Sequence, residues 1–148
     1  VYSWGVLHHT GSMWKAISNA SDRVKDGGFL FIAIYNDQGL ISKYWLQVKK
    51  LYNRNAFWRV LMILIHFPYL YLFRKLVRFI RRRPLERGMS IWYDMQDWLG
   101  GLPFEVATPK QINDFLTARG FSMVNQNTVG NRTGCNEFIF SKTYQSEE

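Results

Sequence analysis

Two adjacent histidines, His8 and His9, end the apolar stretch Tyr2-Ser3-Trp4-Gly5-Val6-Leu7, and Tyr35 and Asn36 end a second, Phe29 to Ile34. Imidazole titrates near neutrality, so either histidine can take a proton from a reacting group or orient one by hydrogen bonding. Successive side chains of an extended chain point to opposite faces, so the pair is not expected to share one role or one metal ion. Cys135 is the only cysteine, which rules out an intrachain disulfide and leaves no thiolate metal set. A second polar and aromatic group, Arg87, Tyr93, Asp94, Asp97, Trp98 and Glu105, lies further along the chain. It reads either as a pocket in which Asp94 or Glu105 binds a polar substrate group, or as packing by Trp92, Trp98 and Phe104 with the acids pairing Arg87 or capping helices.

The elements that must position these residues follow from patterning. The two apolar runs are separated by a helix-length segment, the pattern of two buried parallel strands joined by a crossover helix, and ligands of such sheets sit at the strands' carboxyl ends. Ser12 is placed to cap a helix running to about Lys25, with Met13, Ile17, Ala20 and Val24 as its buried stripe. Thr108-Pro109-Lys110-Gln111 has an N-cap residue, Pro at the first helical position and Gln at the third, and Gly120 ends the helix it opens. Phe121 to Thr128 and Asn136 to Tyr144 read as an antiparallel hairpin, followed by a solvated tail.

Ser3-Trp4-Gly5-Val6-Leu7-His8-His9 and the Asp26-Gly27-Gly28 turn resemble the fourth strand and the entry to the fifth strand of class I S-adenosylmethionine-dependent methyltransferases. Arg87-Gly88-Met89-Ser90 and Asp97 through Pro109 are similar to members with a helical insertion after strand five, so the resemblance spans nearly the whole chain. It implies an α/β fold: the C-terminal half of a Rossmann-like sheet, with parallel strands four and five, a last strand running antiparallel inside the sheet, and a large helical cap. It also implies S-adenosylmethionine as cofactor, with Ser3, Trp4, Gly5 and His8 beside it and His8 or His9 as catalytic residues. Tyr35, Asn36, Arg87, Tyr93, Asp94, Trp98 and Glu105 would then face a small or lipid-like acceptor, and no metal is required. The family's Gly-rich cofactor loop and ribose-binding acid have no counterpart here. Starting at Val1 with a strand under way, the chain reads as a fragment lacking that half and inactive alone.

Three segments are expected: 1–38 as strand-helix-strand, 39–101 as a helical cap, and 102–148 as the helix and hairpin that complete the core. The 148 residues are 47% hydrophobic and 17% aromatic, enough for a core and unlike a disordered chain. The net charge of +8 is local: outside the stretch holding Arg74, Lys75, Arg78, Arg81, Arg82, Arg83, Arg87 and Glu86, 12 basic side chains face 10 acidic ones. Arg74, Arg78, Arg81 and Arg82 recur at helical spacing opposite Leu72, Phe73, Leu76 and Ile80, a pattern suited to an anionic membrane surface or to RNA phosphate. The apolar run Val60 to Phe73 is only 14 residues, includes His66 and Pro68, and falls short of the roughly 20 that a span needs. With one cysteine a reducing cytosol is the default, so a cytoplasmic protein, with membrane association as its variant, is expected. Two other functions fit the residues: a tRNA-modifying relative, since S-x-G-V-L-x-H is similar to the string of a wobble-uridine carboxymethyltransferase, or a non-catalytic membrane-surface or interaction module.

Overall fold

The computed structural model describes residues 1–81 and 90–143. Its elements in chain order are β1 (Tyr2–Trp4), a 3₁₀ turn (Leu7–His9), α1 (Met13–Asp22), β2 (Phe29–Tyr35), α2 (Leu40–Tyr52), α3 (Ala56–Phe67) and a π-helical turn (Pro68–Phe73). α4 (Arg74–Arg81), α5 (Ile91–Gly100), α6 (Pro109–Thr117), β3 (Phe121–Asn127) and β4 (Cys135–Lys142) follow. They divide into two compact units, Val1–Ser42 with Pro103–Glu148, and Lys43–Leu102. Arg82, Arg83 and Arg87 lie outside the described residues.

The first unit is mixed α/β, built on a four-stranded sheet in the order β1-β2-β4-β3. β1 runs parallel to β2, with Tyr2 opposite Phe31 and Trp4 opposite Ala33. β4 lies between β2 and β3 and is antiparallel to both, and β3 shifts register between Met123 and Asn125. Alternation sorts the strands into two faces. Leu30, Ile32 and Ile34 share one face with Phe138 and Phe140, and Met13 and Ile17 of α1 and Ile112 and Leu116 of α6 bury against it. Each such side chain contributes about 1.5–3 kcal/mol by leaving water. Truncating Ile32, which is fully buried, would cost about 2–5 kcal/mol. The opposite face is uncovered at its start: Tyr2 stacks on Phe31 at 4.9 Å, yet Tyr2 is 72% and Phe29 58% exposed.

Local chemistry sets the ends of these elements. A Cβ on Gly28 would lie 2.8 Å from the Lys25 carbonyl oxygen, so the turn entering β2 closes only on glycine. Thr108 and Gln111 form the expected capping box at α6, each side chain accepting from the other's backbone N–H. Ser12 stands at the N-cap position of α1, but its hydroxyl makes no cap bond; the Glu105 carboxylate accepts from Met13 N at 2.9 Å instead. α1 also ends at Asp22, short of Lys25, with Arg23 and Val24 bonding back to Ala20 and Ser21.

The second unit is helical. Asn55 caps α3 by accepting from Trp58 N at 3.0 Å. Pro68, counted in the sequence against a membrane span, does not break the helix. Proline lacks the N–H of a normal helical turn and its ring crowds the preceding carbonyls, but the wider π turn beginning at Pro68 absorbs both defects. The helix therefore runs unbroken from Ala56 to Val77, 22 residues, and is long and apolar enough to cross a membrane. The 14-residue apolar run had understated it.

One stripe of this helix, Met62, His66 and Leu70, is buried with Met95 and Leu99 of α5. His66 donates from Nδ1 to the Met62 carbonyl at 2.7 Å, which leaves Nε2 to accept from the Tyr44 hydroxyl at 2.8 Å. Lys49 of α2 is 1% exposed, donates from Nζ to the Trp98 carbonyl, and lies 4.3 Å from the Trp98 ring centre. Burial lowers its pKa to about 8.

Candidate functional site

The first unit gathers the histidines at the carboxyl end of its parallel pair. β1 stops at Trp4 because Gly5 turns to φ +73°, a conformation other residues rarely adopt. Gly5 N still donates to the Ala33 carbonyl at 3.3 Å. The chain then enters the 3₁₀ turn, where successive side chains are about 120° apart rather than 180°. This overturns the expectation that His8 and His9 point to opposite faces of an extended chain. Their ring centres are 4.5 Å apart, and both pack on Tyr35, at 4.0 Å for His8 and 5.3 Å for His9. Phe104 adds a fourth ring, 5.5 Å from Tyr35.

The returning strand of chain after Leu102 holds this cluster in place. Glu105 N donates to the His8 carbonyl at 3.1 Å, and Ala107 N to the Tyr35 carbonyl at 3.0 Å. His9 Nδ1 lies 2.7 Å from the Pro103 carbonyl oxygen. A carbonyl only accepts, so Nδ1 carries the hydrogen, and neutral His9 presents the lone pair of Nε2 to a proton. His8 differs. It is fully buried, and neither of its ring nitrogens has a hydrogen-bond partner among the described residues. Burial, reinforced by neighbouring His9, pushes its pKa down to about 4, against a weaker pull from the Ala33 carbonyl, so it is neutral at physiological pH.

Of the other residues singled out in the sequence, Trp4 donates from Nε1 to Glu137 Oε1 at 2.9 Å. The two flank Ala33 in the sheet register, and the small Ala33 side chain lets them meet above it. Asn127 donates to the other Glu137 oxygen at 3.3 Å. Glu137 was missed by sequence reasoning, although an acid inside Cys135-Asn136-Glu137-Phe138-Ile139-Phe140 is itself a signal. Ser3 sits between Tyr2 and Trp4 on β1, opposite Ile32.

Asn36 is engaged in a backbone lock: its Nδ2 donates to the Gly130 carbonyl at 2.7 Å, and its Oδ1 accepts from Asn136 at 2.9 Å. Beside this lock lies a cleft of about 530 Å³, lined by Asp37, Gln38, Thr128 and Asn131 among others. These residues carried no distinctive sequence pattern.

The second polar group divides. Glu105 belongs to the first unit and caps α1. Tyr93, Asp94, Asp97 and Trp98 belong to α5 of the second unit, where Asp94 pairs with Arg74 at 3.2 Å and Trp98 packs edge-on against Trp45. Arg87 lies outside the described residues. Among the described residues no group of three or more His, Cys, Asp and Glu could hold a metal ion. No protein-family model, curated protein or solved structure matches the chain.

Proposed function

We propose that the chain carries the acceptor side of an S-adenosylmethionine-dependent methyltransferase acting on a small or lipid-like molecule. The observation that supports this best is the strand order β1-β2-β4-β3 with β4 antiparallel inside the sheet, the arrangement the resemblance implies for the end of that fold. Both helices on the same sheet face, and an opposite face left open at Tyr2 and Phe29, agree with it.

The residues at the strand ends fit such a cofactor on one point of this structure: the buried His8 ring, in the turn that follows β1, has two nitrogens without a hydrogen-bond partner among the described residues. S-adenosylmethionine, when bound, supplies an electrophilic methyl group on a sulfonium. The protein's own part is orientation and proton handling. As the acceptor's heteroatom gains the methyl it loses its hydrogen, and His9 Nε2, its tautomer fixed by the Pro103 carbonyl, takes that proton. Neutral His8, Tyr35 and Phe104 form an apolar aromatic wall that keeps water from the acceptor.

A Gly-rich loop and a ribose-binding acid are also required, and these 148 residues contain neither. Calorimetric titration tests the reading. The chain alone should bind S-adenosylmethionine weakly or not at all. Joined to a polypeptide that supplies that loop and acid, the chain should bind, and His9→Gln should lower turnover more than binding. Micromolar binding by the 148 residues alone, or none by the extended protein, overturns the reading.

A further inference from the structure

The helix through α3, the π turn and α4 is apolar on the side its neighbours leave open. Phe57, Leu64, Leu72, Leu76, Phe79 and Ile80 recur along it at helical spacings, and their exposure runs from 49% at Leu72 to 81% at Phe79. Of its apolar 18-residue stretch only 17% is buried. The other side is taken: Met62, His66 and Leu70 are buried, His66 is bonded to Tyr44 of α2, and Arg74 is paired with Asp94 of α5.

Charge identifies the partner. From Gln38 to Leu85 the sequence has eleven basic side chains and no acidic one. Arg74 and Lys75 open α4, Arg78 and Arg81 lie on it, and Arg82 and Arg83 follow in sequence. A second copy of this face would bring like charges together, and nucleic-acid phosphate has no use for the apolar surface. An anionic bilayer satisfies both, with apolar side chains among the acyl chains and long basic side chains reaching lipid phosphates.

We propose that residues 56–80 lie in the plane of an anionic lipid surface, embedded by the face carrying Phe57, Leu64, Leu72 and Phe79. A span is disfavoured by packing. Crossing the bilayer would draw α2 and α5 in with it, and with them Lys50, Asp94 and Asp97. This surface stands independently of the methyltransferase reading.

Flotation of the full chain with vesicles tests it. The protein should float with phosphatidylcholine containing a third phosphatidylserine, and far less with phosphatidylcholine alone. Leu72→Asp with Leu76→Asp, both at exposed positions, should lower partitioning by at least ~tenfold while the far-ultraviolet spectrum stays unchanged. Orientation is read separately, from spin labels at single cysteines replacing Phe57, Leu64, Leu72 or Phe79 in a Cys135→Ser background. In-plane embedding gives all four a similar shallow depth. Four other results overturn the proposal: no flotation with anionic vesicles; labels at Leu64 and Leu72 at the bilayer centre with the outer two at its edges; a dimer that the aspartates dissociate, without flotation; or salt-sensitive RNA binding without flotation.

Discussion

An imidazole buried with both nitrogens unpartnered is destabilised whenever it must carry a charge, and His8 is in that position. Its pKa is near 6.5 when exposed and about 4 when folded. Between those values the unfolded chain binds a proton that the folded chain does not, so stability falls as pH drops from about 6.5 to about 4, by up to about 3 kcal/mol, and is unaffected by this group above that window. His8→Phe removes the term and preserves the ring packing on Tyr35. Urea unfolding of both proteins at about pH 7.5 and about pH 5 should show the wild type losing stability faster on acidification. Equal losses in the two proteins would mean that His8 is solvated or hydrogen-bonded in the native state. The residue types at this site were legible in the sequence, because histidines ending an apolar run are visible at a glance. Their geometry was not: one positive φ at Gly5 converts the expected strand into a 3₁₀ turn and puts both rings on the same side.

Element ends show where local sequence suffices. The Thr108–Gln111 capping box was legible because all its partners lie within four residues. The α1 cap was not, because Glu105 is 92 residues from Met13 and nothing near Ser12 reports its arrival. Pro68 misled for a different reason: the rule that proline ends helices assumes an α turn, and the π turn makes room for the ring. The Glu105 assignment separates its two readings. As a cap whose charge also favours the helix N-terminus, Glu105→Ala should cost about 1 kcal/mol and Glu105→Gln about half of that, both read as shifts in the urea midpoint. Unchanged midpoints with loss of substrate binding in the extended protein would instead return Glu105 to the acceptor pocket.

At the scale of the molecule, the two units have separate work and separate cores. Every residue of the principal hydrophobic cluster, from Leu7 to Phe140, lies in Val1–Ser42 or Pro103–Glu148, and so do His8, His9, Tyr35 and Phe104. The exposed apolar helix lies wholly within Lys43–Leu102. Replacing residues 43–102 by a flexible Gly-Ser linker of about 15 residues should therefore leave a chain that unfolds in one cooperative transition and no longer floats with anionic vesicles. Pro103 is kept, so the carbonyl that fixes the His9 tautomer remains. The shortened chain retains the open sheet face at Tyr2 and Phe29, so it should also self-associate with rising concentration. Tyr2→Lys with Phe29→Lys should reverse that association without lowering the melting temperature, since both side chains are already largely in water. A shortened chain that fails to fold would show that the sheet depends on the helical unit. One that still floats would move the membrane contact from residues 56–80 to the open face of the sheet.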